Sequence, residues 1–330
     1  MDWKELAYEV LNGKEITYEE ALTILLTPDK QLLELLHGAY IIRRHYYGNK
    51  VKLNKIKNVK SGICPENCSY CSQSSISKAP IEKYTMLSKE EILAGAKQAY
   101  DMKIGTYCIV ASGRGPSNRE IETVAAAVKE IKERYPLTIC TCLGILKPEQ
   151  AVKLKEAGVD RYNHNINTSE RHHPEITTSH TYQDRIHTVE RVKQAGISPC
   201  SGIIVGMKEK KEDVVDMAFS LKALDADSIP VNFLNAISGT PLEGTKELNP
   251  RYCLKVLAMM RFVNPSKEIR IAGGREVNLR SLQPLGLYPA NSIFVGDYLT
   301  TEGQADSADL RMLEDLGFEI DFNYQFVSTR

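Results

Sequence analysis

Eight times in succession, from about residue 52 onward, a short run rich in β-branched residues is followed by a longer run with helical periodicity. The β-type runs are VKLNKIKNV at 51–59, TYCIVA at 106–111, LTICTCLG at 137–144, VDRYNHNIN at 159–167, ISPCSGIIVG at 197–206, DSIPVNF at 227–233, EIRIAG at 268–273 and ANSIFVG at 290–296. The helical runs between them carry start and stop signals: Ser88 with Glu91, Ser117 with Glu120, and Pro148 near the start and Gly158 after the end of a third. An open doubly wound sheet seldom needs eight regular units, so the repeat predicts an α/β protein with a closed (β/α)8 TIM barrel. Residues 1–50 read instead as helices: Thr17 caps YEEALTILL, Pro28 ends it, and QLLELLHGAYIIRRHYY follows. The expected organisation is an N-terminal helical extension over 1–50, a catalytic barrel over 51–318, and a tail over 319–330 that lacks periodicity and trails over the surface.

Charge and targeting narrow the function classes. The 42 basic residues equal the 42 acidic ones, which argues against nucleic acid as a partner. The run Arg43, Arg44, His45 reads as the polar end of a helix. MDWKELAYEV lacks the apolar stretch of a signal peptide, and no apolar run is long enough for a membrane. The expectation is a cytoplasmic enzyme in which eight cysteines are thiols or metal ligands rather than disulfides.

Three of the cysteines, Cys64, Cys68 and Cys71, stand in a CxxxCxxC arrangement in the loop after the first strand, where barrel active sites form. Zinc sites prefer four ligands, usually in pairs; three thiolates suit an iron–sulfur cubane with one iron open to a chelating small molecule. A second set is spread over successive strands. Cys108 lies in the second, Cys140 and Cys142 in the third, Asn163, His164 and Asn165 in the fourth, Cys200 in the fifth, Ser228 and Asn232 in the sixth, and Arg270 in the seventh. Barrel interiors are ordinarily filled by branched apolar residues, so thiols and polar groups on neighbouring strands predict a second metal cluster on the barrel axis. Cys253, among Leu254, Val256 and Leu257 in a helix, reads as packing.

The CxxxCxxC spacing with Tyr70 before the last cysteine resembles the radical S-adenosylmethionine superfamily. Within it, CPENCSYCSQSS, YNHNIN, TTSHTYQDR, CSGIIVG, IPVNFL with GTPL, IRIAGGRE and NSIFVGDYLTT resemble the biotin synthase family over roughly residues 50–320. The resemblance implies a sulfurtransferase that converts dethiobiotin to biotin. Two 5′-deoxyadenosyl radicals each abstract one hydrogen, and an auxiliary iron–sulfur cluster donates the sulfur. It implies a 4Fe–4S cluster on Cys64, Cys68 and Cys71 that binds S-adenosylmethionine. Tyr70 would lie near the adenine, Arg185 would pair with the methionyl carboxylate, and Asn165 and Asn232 would meet the ureido ring or the ribose. Cys108, Cys140 and Cys200 match the auxiliary-cluster thiols, and Arg270 matches an arginine ligand. A flavodoxin- or ferredoxin-type electron donor and a homodimer are also implied. Two departures stand out. Asn167 replaces the usual aspartate that would accept from the ribose, and Met207 and Lys208 stand where small or neutral residues are common.

Cys142 is an additional cysteine two residues after Cys140, and residues two apart in a strand share a face. The sequence therefore favours a four-iron auxiliary cluster on Cys108, Cys140, Cys142 and Cys200, with Arg270 acting through its charge. Without Cys142 the cluster is 2Fe–2S with Arg270 bound. Two rival readings remain: another radical barrel enzyme of the hydrogenase-maturation or aminomutase type, which need not combine Cys108, Cys140 and Cys200, and a non-enzymatic metal-binding module, which needs no complete barrel.

Overall fold

The computed structural model describes residues 1–322. Helices α1 (Trp3–Leu11), α2 (Tyr18–Leu26) and α3 (Leu32–Tyr47) lead into strand β1 (Lys50–Lys60). The alternating part then runs α4 (Lys89–Asp101), β2 (Thr106–Ala111), α5 (Asn118–Arg134), β3 (Thr138–Cys142), α6 (Pro148–Glu156), β4 (Arg161–Asn163), α7 (His173–Ile176), α8 (Tyr182–Gln194), β5 (Ser198–Cys200), β6 (Ile203–Val205), α9 (Lys211–Ala223), β7 (Ser228–Phe233), α10 (Pro250–Val263), β8 (Glu268–Ile271), α11 (Arg275–Leu279), α12 (Gln283–Gly286), β9 (Ser292–Phe294), α13 (Asp306–Asp315) and β10 (Glu319–Ile320).

Every pairing between named strands is parallel, and β1 pairs with β9 as well as β2, which closes the ring. The ring has eight strand positions because β5 and β6 are two halves of the fifth, both paired with β7. The chain has to break there. A Cβ on Gly202 would lie 2.0 Å from the Pro230 carbonyl oxygen, and the Gly202 carbonyl turns to accept from Asn167 N. The predicted boxes are present on α4 and α5, and the Thr17 cap of α2 proves to be one as well, each serine or threonine taking the N–H three residues on. The helical run REVNLRSLQPLG after β8 divides into α11, a 3-10 turn and α12, where Arg280 takes φ +52° and Pro284 lies in the first turn of α12.

The N-terminal helices share the barrel's core. Trp3, Leu6 and Val10 of α1 and Leu35, Ala39 and Ile42 of α3 are buried, and α10 is buried continuously from Cys253 to Val263, Lys255 and Arg261 included, because it lies between the barrel and these helices. Cys253 is buried in that core, as expected for packing. Arg43 departs from the reading of its run as a polar helix end. Arg44 and His45 are exposed, but Arg43 is fully buried, donates to the carbonyls of Ala290 and Lys50, and lies over the Phe318 ring. It fastens α3 to the ends of the barrel. Where a trailing tail was expected, Glu319 and Ile320 pair with Lys50 and Val51 at the start of β1; residues 323–330 lie outside the described residues. Among the described residues no helix is long and apolar enough to cross a membrane.

Gly202→Ala should destabilise the protein by about 1–3 kcal/mol or more, since the added methyl meets backbone that cannot rotate away. The urea midpoint of the apo protein measures this; an unchanged midpoint would show that the β5–β6 break is not sterically imposed.

Candidate active site

Parallel strands covered by helices usually read as continuous apolar runs. Here the two faces differ. Leu53, Tyr107, Ile109, Ile139, Tyr162, Ile229, Val231, Ile269 and Ile293 join the main core with the helices. The alternate positions form an inner column of Lys52 and Asn54, Cys108, Cys140 and Cys142, Arg161 and Asn163, Cys200, Ser228, Glu268 and Arg270, and Ser292. Cys108, Cys140 and Cys200 make a separate buried cluster with Ile56, Val110 and Phe294 around them.

At the N-terminal end of the barrel, Glu268 is surrounded by cations. Its carboxylate takes Arg161 Nη1 at 2.6 Å, Lys52 Nζ at 3.2 Å, Arg270 Nη2 at 2.6 Å and the Ser228 hydroxyl at 3.0 Å. Burial alone would raise the Glu268 pKa, but Arg161, Lys52 and Arg270 hold it well below the usual carboxylate range. Burial brings Lys52 down to about 8 against the pull of Glu268, which leaves it cationic at neutral pH. One layer up, Cys140 lies between the thiols of Cys108 and Cys200; the Cys108 contact and burial push the Cys140 thiol up against the opposing pull of Cys200, and the Cys140 contact and burial push the Cys200 thiol up. Arg270 faces all three: burial disfavours its charge, while Glu268 and the thiols favour it.

Cys142 stands apart from this triad. It lies level with Val110 in the register, half-exposed to the cavity. Burial first, then Cys200, push its thiol up to about 12, opposed by Arg185.

The C-terminal end holds the loop after β1. Cys64, Cys68 and Cys71 line one cavity of about 400 Å³ together with Cys108, Cys140 and Arg270, within the usual size of a small-molecule site. Burial, with the neighbouring Cys68 and Cys64, pushes Cys71 up to about 12, while backbone N–H groups of Gln73 and Ser74 act against it; Glu66 and Gly113 N–H groups do the same for Cys64. Amide donors aimed at sulfur favour the anionic thiolate that iron requires, so the three thiols fit a cluster. Among the described residues no group of three or more Cys, His, Asp or Glu side chains is arranged to hold a single metal ion.

Hydrogen bonds fix that loop from one side. Asn67 Oδ1 accepts from Thr177 Oγ1 at 2.8 Å, Thr178 N at 3.0 Å and Ser179 N at 3.1 Å. Glu66 accepts from the Ser179 hydroxyl, His180 Nδ1 and Arg114. Burial and Arg185 push the His180 pKa down, so the ring is neutral; its Nε2 accepts from Arg185 Nε at 2.9 Å. Arg185 Nη1 donates to the Asn165 carbonyl at 2.9 Å. With its amide oxygen turned toward them, Asn167 accepts from Tyr70 Oη at 2.6 Å and from Arg185 at 3.1 and 3.2 Å. Asn167 is buried with φ +67°, a conformation its short amide tolerates.

The structure thus places Tyr70, Asn163, Asn165, Asn167, Arg185 and Asn232 on the cavity between the two thiol sets. Asn163 Nδ2 donates to Asn165 Oδ1 at 2.9 Å and reaches Cys200 Sγ at 3.3 Å. The Asn232 amide is engaged by backbone at both ends, Ile203 O and Gly273 N. Ser228 does not line the cavity; it is fully buried in the layer below, between Arg270 and Glu268. Met207 packs with Ile176, Ile204, Leu234 and Leu242 beside Tyr70, which accounts for an apolar residue there, and Lys208 takes φ +69°. The sequence reading missed Glu66, His180, Lys52, Arg161 and Glu268. The last three had a signal: charges two residues from an expected interior position, in a buried strand.

Two family models match the chain: the Radical SAM superfamily over residues 58–221 and the Biotin and Thiamin Synthesis associated domain over 230–319. The biotin synthase of Anoxybacillus flavithermus is 75% identical over 322 residues, covering 98% of both chains. That of Bacillus subtilis is 71% identical over 319 residues, covering 97% of this chain and 95% of the relative. Among solved structures, methylornithine synthase superposes with TM-score 0.84 at 21% identity, covering 96% of this chain and 97% of that one. An FeFe-hydrogenase maturase from Carboxydothermus hydrogenoformans gives 0.81 at 18%, covering 97% and 79%. At such identities these two show the shared fold alone.

Asn167→Asp should leave the fold intact, because a carboxylate fits the same donors from Tyr70 and Arg185. If the side chain faces the ribose, a charge-assisted bond adds about 1 kcal/mol, roughly a fivefold gain in S-adenosylmethionine affinity by equilibrium dialysis. Loss of binding would remove the ribose contact from Asn167.

Proposed function

The chain belongs to the biotin synthase family of the radical S-adenosylmethionine superfamily, and from that premise we propose the part each of its residues plays. It is an enzyme that transfers sulfur, converting dethiobiotin to biotin. Cys64, Cys68 and Cys71 would hold the 4Fe–4S cluster with S-adenosylmethionine on its open iron. When bound, the cluster supplies the electron that splits the sulfonium. The observation that carries the assignment is that the three loop thiols and the Cys108–Cys140–Cys200 triad open on the same cavity or flank it, so radical source and sulfur source face one space.

Within that space the protein's own groups bind and orient. Arg185 has Nε and Nη1 held by His180 and Asn165, and keeps a donor of Nη2 for the methionyl carboxylate. Tyr70 would flank the adenine with its hydroxyl fixed by Asn167. Asn165 and Asn163, bonded to each other, would present amide groups to the ureido ring; Asn232, tied to backbone, would shape the wall. The apolar side chains Ile56, Val110 and Phe294 around the triad keep water from a carbon radical.

For the auxiliary cluster, the packing supports Cys108, Cys140 and Cys200 with Arg270, which suits 2Fe–2S. The four-iron arrangement favoured by spacing needs Cys142 packed with the triad; Cys142 neighbours Cys200 alone of the three and Arg185 on its other side, and it is not part of the buried cluster of the triad. We read residues 1–50 as a helical extension, seated on α9 and α10, and 51–318 as the catalytic barrel. The reaction needs a reducing partner; a flavodoxin- or ferredoxin-type donor, a cytoplasmic setting and a homodimer complete the proposal.

Cys64→Ala, Cys68→Ala or Cys71→Ala should each abolish 5′-deoxyadenosine formation by anaerobic, reduced protein, measured by chromatography; full turnover in any one would sink the assignment. Cys142→Ser should leave iron near about six per chain, the sum for one 4Fe–4S and one 2Fe–2S unit. A loss of iron and of biotin yield in that variant would restore the four-iron reading.

A further inference from the structure

Three cations and one carboxylate are buried together below the thiol triad, with Lys52 at 4% exposure, Arg161 at 2%, and Arg270 and Glu268 at 1%. The carboxylate divides its oxygens between two tasks. Oε2 takes Arg161 Nη1 at 2.6 Å and Lys52 Nζ at 3.2 Å, which anchors it to β4 and β1. Oε1 takes Arg270 Nη2 at 2.6 Å and the Ser228 hydroxyl at 3.0 Å. Arg270 is held at a second point, where its Nε donates to Ser292 Oγ at 3.2 Å, and its guanidinium lies 5.0 Å from the centre of the Phe294 ring. A guanidinium is planar, so fixing Nε and Nη2 fixes the whole fork. Among the described residues Nη1 has no hydrogen-bond partner, and Arg270 borders both the cavity and the three thiols.

We infer that Glu268 is a positioning residue: anchored by Arg161 and Lys52, it holds Nη2 of Arg270 so that Nη1 is turned toward the sulfur atoms of Cys108, Cys140 and Cys200. This rests on the reading that those three thiols and Arg270 hold the auxiliary cluster. An arginine is a poor metal ligand unless its many rotamers are restricted beforehand, and here two hydrogen-bonded nitrogens and an aromatic ring restrict them. The same group leaves an excess of positive charge under sulfur atoms that become anionic when they bind iron, so Lys52 and Arg161 serve the cluster through Glu268 while lying below it.

The test uses full-length protein loaded anaerobically with iron and sulfide. Glu268→Gln keeps the shape and removes the charge, and is expected to shift the absorption spectrum and reduction potential of the auxiliary cluster or lower its occupancy; the cluster on Cys64, Cys68 and Cys71 in the same sample is the internal reference. Because Gln removes the carboxylate that all three buried cations share, Lys52→Met/Glu268→Gln, which preserves the net charge of the group, is measured in parallel and should give the same shift. In an Arg270→Ala background, Glu268→Gln should add nothing further. A wild-type spectrum, potential and iron content in either folded variant overturns the inference. So does a shift that persists undiminished without Arg270. A parent protein holding only about four irons, all lost in Cys64→Ala, overturns the auxiliary-cluster reading itself, whereas about six irons with an Arg270-sensitive spectrum and a silent Glu268→Gln overturns the role of Glu268 alone.

Discussion

A closed ring of parallel strands leaves one column of side chains with nowhere to go but the axis, and in this chain that column is polar. Burying Lys52, Arg161 and Arg270 would be prohibitive if each stood alone. Glu268 makes it tolerable by accepting from all three with one carboxylate; Ser228 and Ser292 accept further donors of Arg270, and Asn54 in turn donates to Ser292. These partners sit on β1, β4, β7, β8 and β9, so the network also fixes strand register: a slip of one residue would turn the charges toward the apolar helices and the isoleucines toward the axis.

The opposite end of the barrel is organised by a different kind of contact. The loop carrying Cys64, Cys68 and Cys71 has little regular structure of its own; its position comes from Asn67 and Glu66 docking on residues 177–180. His180 passes that docking on, because its neutral ring donates to Glu66 through Nδ1 and accepts from Arg185 through Nε2. The iron-binding loop and the arginine proposed to meet the methionyl carboxylate are therefore referenced to one another through a single imidazole. A substituent there that cannot both donate and accept would misplace two binding elements at once.

Much of this was legible in the sequence because the signals were periodic or local. Eight strand–helix repeats gave the closed barrel, caps at Thr17, Ser88 and Ser117 gave helix starts, and the CxxxCxxC loop fell at a strand's C-terminal end. What was not legible depends on partners distant in sequence. Arg43 looks like a helix-end cation until Ala290 and Phe318 arrive beside it. Asn232 lies on the cavity as expected, but that Ile203 and Gly273 also hold its amide could not be read from the sequence. Glu319 and Ile320 lack any pattern because two residues suffice to pair with an existing edge at Lys50 and Val51.

Cys142 shows how a correct rule can give an incomplete answer. Residues two apart do share a face, and Cys142 does line the cavity with Cys140. Sharing a face, however, fixes direction and leaves height free, and a strand climbs about 7 Å over two residues. That rise carries Cys142 to the level of Val110, on the cavity wall with Cys200 and Arg185 as its electrostatic neighbours. Burial and Cys200 raise the pKa of that thiol, which leaves it protonated and uncharged on the cavity wall. The cysteines thus divide by height into the buried triad of Cys108, Cys140 and Cys200 below and the loop of Cys64, Cys68 and Cys71 above, with Cys142 on the wall of the cavity that both sets border.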